Sequence, residues 1–383
     1  MSLFSTKAFG ACRLLAAFGL AVSLGGAAVL SIPGRSANAG QLVASSVTFS
    51  AEGSQVSSVQ FDLEWDEGLE VQFATGAELL RSGKLIYSAP LAPRRMRILI
   101  VGMNQNNITD GELVRLFIVV NSVPVSAQVK LNNLMGVTAG GDPVSIQASV
   151  ATIRMDPSSS GSPLLGESIL NAASFRPGAI APGEIVTLLG AFGLNADSAR
   201  SVVASVNGTP ATVLYALGNQ INAVVPFGMD AAHPADLELR GQNRQLARIT
   251  LPTTVASPAL FTQSGSGLGP GAILNQDSSL NSPSNPAAVG STVMLYGTAF
   301  GPLIPPADDG RQGVVSATTL LVTAKIAGVS ANVTYAGAAP GLPGGVVQIN
   351  IQIPEAVRSG DALGVSLSAG NFTIPDGVTI SIR

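Results

Sequence analysis

Few side chains in this chain of 383 residues could do chemistry. There is one histidine, His233, and one cysteine, Cys12. His233 follows two alanines and precedes Pro234 in a loop-like stretch. No GxSxG nucleophile elbow accompanies it, and SGSGLG at 264–269 only imitates one. A zinc site needs several His or Cys ligands, which this composition does not supply. Paired carboxylates could hydrolyse a glycoside. Asp62, Glu64 and Asp66 alternate along one strand and so share a face, while Asp308 and Asp309 precede Gly310 in a turn-rich loop. The first set reads more simply as a solvated face and the second as a surface turn. Hard oxygen ligands could hold calcium, and Asp308 and Asp309 are the metal candidates, although neither set has EF-hand spacing. The chain is therefore read as non-enzymatic and without a cofactor.

Binding chemistry is the remaining option, and aromatic side chains are the first place to look, because their apolar bodies and polar tips suit wet interfaces. The chain has one Trp and four Tyr. Trp65 shares strand parity with Val59, Phe61 and Leu63 and is expected in a core. By the same parity Tyr215 is expected to pack inward with Val213, and Tyr335 with Val333. Tyr296, in the apolar run VMLY, could face either way. Tyr87, beside Ser88-Ala89-Pro90, is left as the candidate for an exposed binding residue.

The elements that must position these residues are strands. Charged residues make up 11% of the chain, with 43 Gly and 24 Pro, a composition that suits short strands and tight turns rather than long helices. Net charge is −3 and no basic stripe runs along the chain, which argues against nucleic acid as a partner. The cluster Arg94-Arg95-Met96-Arg97 reads as a solvated strand end. Lys7 and Arg13 precede the apolar run LLAAFGLAVSLGGAAVL, and Ala37-Asn38-Ala39 offers a small-residue cleavage site. The expectation is a signal peptide over 1–39, a mature chain starting at Gly40, and export from a bacterial cell. Cys12 would leave with the leader, and no later stretch is long enough to span a membrane.

From Gly40 onward the pattern has period two. SSVQFDLEWD at 57–66 alternates; MRILIVGM at 96–103 and GELVRLFIVV at 111–120 are continuous apolar runs. DPSSSGSPLLGE at 156–167 reads as a linker, and TQSGSGLGPGA, with a break over 263–272, as a second. Around that second break lies an internal repeat. GEIVTLLGAFG at 183–193 returns as GSTVMLYGTAFG at 290–301, NGTPATVLYA at 207–216 as AGVSANVTYA at 327–336, and QINAVVP at 220–226 as QINIQIP at 348–354. Ile349, Ile351 and Ile353 should face inward, and Pro354, without an N–H, should end the strand. Asn222 and Asn350 hold equivalent places and are expected to be exposed or locally hydrogen-bonded. The divisions are 1–39 leader, 40–155 first domain, 156–167 linker, 168–262 first repeat unit, 263–272 linker and 273–383 second repeat unit.

Two resemblances follow from these stretches. VSSVQFDLEWDEGLEV at 56–71, Gly76 in TGAELL, NNITDGELVRLFIVV at 106–120 and GVTAGGDPVSIQ at 136–147 make residues 41–155 resemble a cohesin domain. That resemblance implies a jelly-roll β-sandwich, of a fold shared with bacterial carbohydrate-binding modules, and a sheet face that binds a dockerin-like protein. No dockerin-like calcium repeat occurs in this chain. NAASFRPGAIAPGEIVTLLG, INAVVP, LNQDSSLNSPSNPA, YAGAAPGLPGGVVQINIQIP and PDGVTI make 168–383 resemble the C-terminal region of secreted acidobacterial proteins, which implies two immunoglobulin-like units of the IPT/TIG kind. The expectation is an all-β chain of three sandwiches, secreted or at the cell surface. Its expected role is binding an extracellular protein partner, in interaction or adhesion. Binding a polysaccharide in support of extracellular polysaccharide breakdown is the alternative.

Overall fold

The computed structural model describes residues 27–102, 104–121, 125–155, 164, 166–242, 244–305 and 316–383. Over these residues the chain is all-β, with three large apolar cores that follow one another along the chain.

The N-terminal body packs two sheets face to face. The first has the order β11-β1-β3-β8-β5, with β1 at Ala28–Ser31, β3 at Leu42–Ser50, β5 at Leu69–Thr75, β8 at Gly111–Val120 and β11 at Ile146–Ala148. The second has the order β2-β12-β9-β4-β7-β6, with β2 at Arg35–Ala37, β4 at Ser58–Trp65, β6 at Leu85–Ala92, β7 at Arg95–Val101, β9 at Ser126–Val137 and β12 at Ala151–Met155; β10, Pro143–Val144, pairs with β9. Alternation decides what each strand buries. In β4, Val59, Phe61 and Leu63 point into the core, and Gln60, Asp62 and Glu64 lie on the outer face. In β8 both faces are apolar, and residues 113, 114 and 116–120 are all buried. A strand apolar on both sides has to be covered on both sides.

Residues 28–37, expected in a removed leader, are part of this sandwich. β1 runs parallel to β11 and antiparallel to β3, and β2 runs parallel to β12. Ala28, Leu30, Ile32 and Ala37 are buried in the core. The period-two stretch therefore begins before Gly40, hidden in sequence because AVLSIP continues a run that reads as leader.

The first repeat unit has the strand order β13-β14-β16-β15-β17-β18, with β13 at Ile169–Asn171, β14 at Ile185–Leu194, β15 at Val203–Val206, β16 at Thr209–Val224, β17 at Ala235–Gly241 and β18 at Arg244–Leu251. β16 serves two sheets: 209–211 pair with β15 and 218–224 with β14. Tyr215 lies on the stretch between, where no ladder enforces parity, and it is exposed rather than packed inward. The second unit repeats the plan with Thr292–Thr298 against Val347–Gln352 and Val329–Ala338 against both Val347–Gln352 and Val322–Ile326. Here a register shift between Val333 and Tyr335 sets Tyr335 opposite Asn350 instead of continuing inward with Val333, and its hydroxyl donates to the Ala338 carbonyl at 2.6 Å.

The repeated QIN stretches match in detail. Gln220 Nε2 donates to Asn222 Oδ1 at 2.9 Å, and Gln348 Nε2 donates to Asn350 Oδ1 at 2.8 Å. Ile349, Ile351 and Ile353 are buried, as are Ile221, Ala223 and Val225. The amides thus satisfy each other along the outer face of the strand, two residues apart.

The second of the expected linkers is not a plain connector. Residues 156–163 and 165 lie outside the described residues, but Leu164 is buried in the core of the first unit. In 263–272, Gly269–Pro270 pairs with 378–379, and Gln263 Nε2 donates to the carbonyls of Gly271 and Asn281. That segment is woven into the second unit.

Candidate functional site

The two outer faces of the N-terminal sandwich have different fates. On the first sheet, Leu42 of β3 and Phe117 and Val119 of β8 pack against Leu170 of β13 and Leu189 of β14 in one buried cluster. Phe117 meets Phe175 edge-on, with ring centroids 6.4 Å apart. Arg115 Nη1 donates to the Phe175 carbonyl at 3.2 Å, and Asn219 Nδ2 donates to Glu70 Oε2 at 2.5 Å. This face is the joint to the first repeat unit, which explains the doubly apolar β8.

The outer face of β9-β4-β7-β6 is open. Register builds it row by row. Tyr87 of β6 lies opposite Leu99 of β7, which lies opposite Gln60 of β4, which lies opposite Met135 of β9. Tyr87 is 51% exposed, Leu85 52% and Met135 41%. The next rows hold Ala89, Arg97, Asp62 and Asn132, then Arg95, Glu64 and Lys130. The face is therefore apolar at one end and charged at the other.

Asp62 organises the charged end. It points outward by parity, yet its side chain is fully covered. Arg97 Nε donates to Oδ1 at 2.7 Å, and Arg95 Nη2 donates to Oδ2 at 2.8 Å. Asn133 Nδ2 donates to Oδ2 at 2.5 Å. Burial pushes the Asp62 carboxyl up, but the hydrogen bonds from Arg97, Asn133 and Arg95 prevail and hold it at about 2. Asn133 reaches it because β9 carries a bulge there: the register with β4 shifts between Gln60 and Asp62, and Asn133 has a φ of 49°. Asn tolerates that left-handed conformation better than most residues. Around this centre Asn132 Nδ2 donates to Glu64 Oε2 at 3.1 Å, and Lys130 Nζ lies 3.7 Å from Asp66 Oδ1.

Two expectations are corrected here. The Asp62, Glu64, Asp66 set is not simply solvated, and the arginine cluster is not simply a solvated strand end. Cross-strand register brings Arg95 and Arg97 onto Asp62, which a single strand's pattern does not show. Asn132 and Asn133 were missed in sequence; two adjacent Asn in the strand SAQVKLNNL, where Asn is depleted, were the available sign of a bulge. Tyr87 stands on the open face, at its β6 edge. Trp65 is half-buried and packs against the core. Asp308 and Asp309 lie outside the described residues. His233 Nδ1 is 2.7 Å from Asp230 Oδ2, with both side chains exposed. Among the described residues no group of three or more His, Cys, Asp or Glu is placed to hold a metal, and no helix is long and apolar enough to cross a membrane.

A second feature lies at the joint of the two repeat units. Ile185 N donates to Thr298 Oγ1 at 2.9 Å, and Thr298 Oγ1 donates to the Gly345 carbonyl at 2.8 Å. A side chain at Gly345 would meet Ile185 Cγ1 at 2.9 Å and the Gly183 carbonyl at 3.0 Å, so the close approach needs glycine there. Beside this joint is a cleft of about 470 Å³ lined by Asn171, Arg176, Glu184 and Asn371 among others. Burial raises the Glu184 carboxyl to about 8, against the lowering effect of hydrogen bonds from Ala181 N–H and Asn171.

The chain matches no family model and no curated protein. Among solved structures it is similar to a non-cellulosomal cohesin from Archaeoglobus fulgidus, at 18% identity over 34% of this chain and 92% of that one, with a TM-score of 0.30. It is also similar to the sixth cohesin of scaffoldin B from Acetivibrio cellulolyticus, solved in complex with a Cel5 dockerin, at 18% identity over 34% of this chain and all of that one, with a TM-score of 0.31. A cohesin from Clostridium thermocellum, solved as a Coh-OlpA complex with dockerin Doc918, is similar at 12% identity over 34% of this chain and 100% of that one, with a TM-score of 0.31.

Proposed function

We propose that this is a secreted, non-catalytic binding protein whose N-terminal sandwich engages a protein partner across the outer face of β9-β4-β7-β6, while the two repeat units act as a spacer. One observation carries the reading. Of the two outer faces, one is sealed against the first repeat unit, and the other stands open with an apolar row beside a pre-ordered charged cluster. Such a face has the make-up of a protein interface: apolar anchors next to charges already fixed in place, so that little side-chain entropy is lost on binding. Leu85 and Leu99 flank Tyr87 with aliphatic rather than planar surface, which favours a protein over a sugar ring.

The test uses the immobilised chain and its Leu99→Asp variant. Each is exposed to the secretome of the producing organism and, separately, to a panel of polysaccharides. The expected result is a protein retained by the chain and lost with Leu99→Asp, the variant keeping its unfolding midpoint. Saturable retention of a polysaccharide that disappears in Tyr87→Ala, with no protein retained, would replace this reading by the carbohydrate one.

A further inference from the structure

Three of the contacts that tie the second repeat unit to the first start from residues around one carboxyl, Glu184. Asn171 Nδ2 donates to the Ser257 carbonyl at 3.0 Å, and the Ser257 N–H donates to the Ala299 carbonyl of the second unit at 3.0 Å. The Ser174 N–H donates to Asn171 Oδ1 at 3.2 Å, and Ser174 lies so near Gly267 that a side chain at 267 would meet the Ser174 carbonyl at 2.5 Å. Ile185, the residue after Glu184, donates its N–H to Thr298. Asn171 Oδ1 accepts from both Ala173 and Ser174, which sets the orientation of the amide, so its Nδ2 is shared between the Ser257 carbonyl and the Glu184 carboxyl. Glu184 itself is 2% exposed, and its Oε2 accepts from the Ala181 N–H at 2.8 Å. Among the described residues it has no ion pair. Of the walls of the cleft it lines, 169–180 brings Arg176, which is exposed, while 254–258 and 371–375 bring no charged side chain.

We propose that the joint between the two repeat units is a proton-operated hinge, closed while the Glu184 carboxyl is uncharged and opened when it ionises. An uncharged carboxyl fits this dry site, whereas a carboxylate there has no cation to offset its lost hydration. The way to water runs through the joint. Glu184 lies outside the apolar cluster of the first unit and lines the cleft, so parting the walls 254–258 and 371–375 from it hydrates the carboxyl and leaves that core packed. The joint is lightly held. The apolar cluster that spans it consists of Phe227, Leu303 and Ala338, and the closest approaches, at Gly267 and Gly345, are made by residues without side chains. Small interfaces of this kind between domains permit relative motion. Ionisation also acts on the bond at the crossing point, because a carboxylate draws Asn171 Nδ2 away from the Ser257 carbonyl. The sign follows from the folded value of about 8 against the ordinary 4.5. The closed joint is fully favoured below the ordinary value, loses up to about tenfold in its equilibrium per pH unit between the two values, and loses no more above the upper one. The hinge does not depend on what the open face of the N-terminal sandwich binds.

The test is a distance measurement between spin labels on the full chain. In a Cys12→Ser background the labels sit on Gln245→Cys in the first unit and Ser330→Cys in the second, both exposed and neither lining the cleft. A single narrow distance is expected at about pH 5, and a second, broad population should grow towards about pH 9, with the open-to-closed ratio rising by no more than about tenfold per pH unit. The β signal in circular dichroism should stay constant throughout. Glu184→Gln, which keeps the shape and cannot ionise, should hold the narrow distance at about pH 9, and Thr298→Val, which removes a bond across the joint, should broaden it already at about pH 5. Distances that do not change over this range overturn the inference. So does a Glu184→Gln variant that opens like the wild type, or an opening that coincides with loss of the β signal. So does a wild-type rise steeper than about tenfold per pH unit, which one carboxyl cannot produce. That last reading needs the wild-type joint alone, so it decides the matter even where Glu184→Gln does not fold.

Discussion

Cutting the chain after Ala39 should unfold the N-terminal sandwich rather than mature it. The perturbation is a chain that starts at Gly40, compared with one that starts at Ala27, both running to Arg383. The shorter chain lacks β1 and β2. It loses the burial of Leu30 and Ile32, about 2–3 kcal/mol each, and of Ala28 and Ala37, which add roughly 1 kcal/mol together. The sum is about 5–7 kcal/mol before counting the ladder bonds to β3, β11 and β12. Whole domains are stable by only about 5–15 kcal/mol, so the loss takes most or all of what the sandwich has. The assay is urea unfolding followed by tryptophan fluorescence. Trp65 is the sole tryptophan and packs against this core, so the signal reports this domain and no other. The chain from Ala27 should unfold in a cooperative transition, and the chain from Gly40 should show red-shifted emission without urea. Equal midpoints, or an exported protein that begins at Gly40 with a native Trp65 signal, would refute the reasoning and restore Ala37-Asn38-Ala39 as the processing site.

Two further outcomes concern titrating groups. Asp62→Asn should destabilise the N-terminal sandwich by about 1–3 kcal/mol at pH 7, because Arg95 and Arg97 lose their counter-charge while staying partly solvated. The wild-type contribution is present above the ordinary carboxylate range and is lost as pH falls through about 2, so the stability gap between the two proteins should close in acid, read by Trp65 fluorescence. Glu184 has the opposite sign. Its folded value of about 8 exceeds the ordinary 4.5, so stability of the repeat units falls as pH rises between those values. Glu184→Gln should flatten that slope in calorimetric scans from pH 5 to about pH 9, and an unchanged slope would mean the carboxyl is not buried as described.

Local patterning made much of this molecule legible in advance. Period two is a property of the strand itself, so the all-β class, the inward isoleucines of QINIQIP and the outward parity of Asp62 could be read from one segment at a time. The repeat was legible because two copies of a strand make the same local bonds, as the Gln220–Asn222 and Gln348–Asn350 pairs do. Tyr87 was singled out because Ser88-Ala89-Pro90 beside it looked like a turn, but those residues belong to β6, and Tyr87 is exposed because it lies on the outer face of that strand. Parity misled for Tyr215 and Tyr335, where an unpaired stretch and a bulge break the phase that parity assumes.

What the tertiary structure alone decided was which strands are neighbours. Asp62, Arg97 and Asn133 are far apart along the chain, and no spacing rule joins them; the order β9-β4-β7 does. The place of β1 and β2 was hidden because an apolar strand and the end of an apolar leader have the same composition, and only pairing with β3, β11 and β12 tells them apart. The sequence showed that β8 is apolar on both faces. That the second cover is the first repeat unit, leaving the opposite sheet open, follows from how the bodies pack, and packing is a long-range outcome that no local pattern encodes.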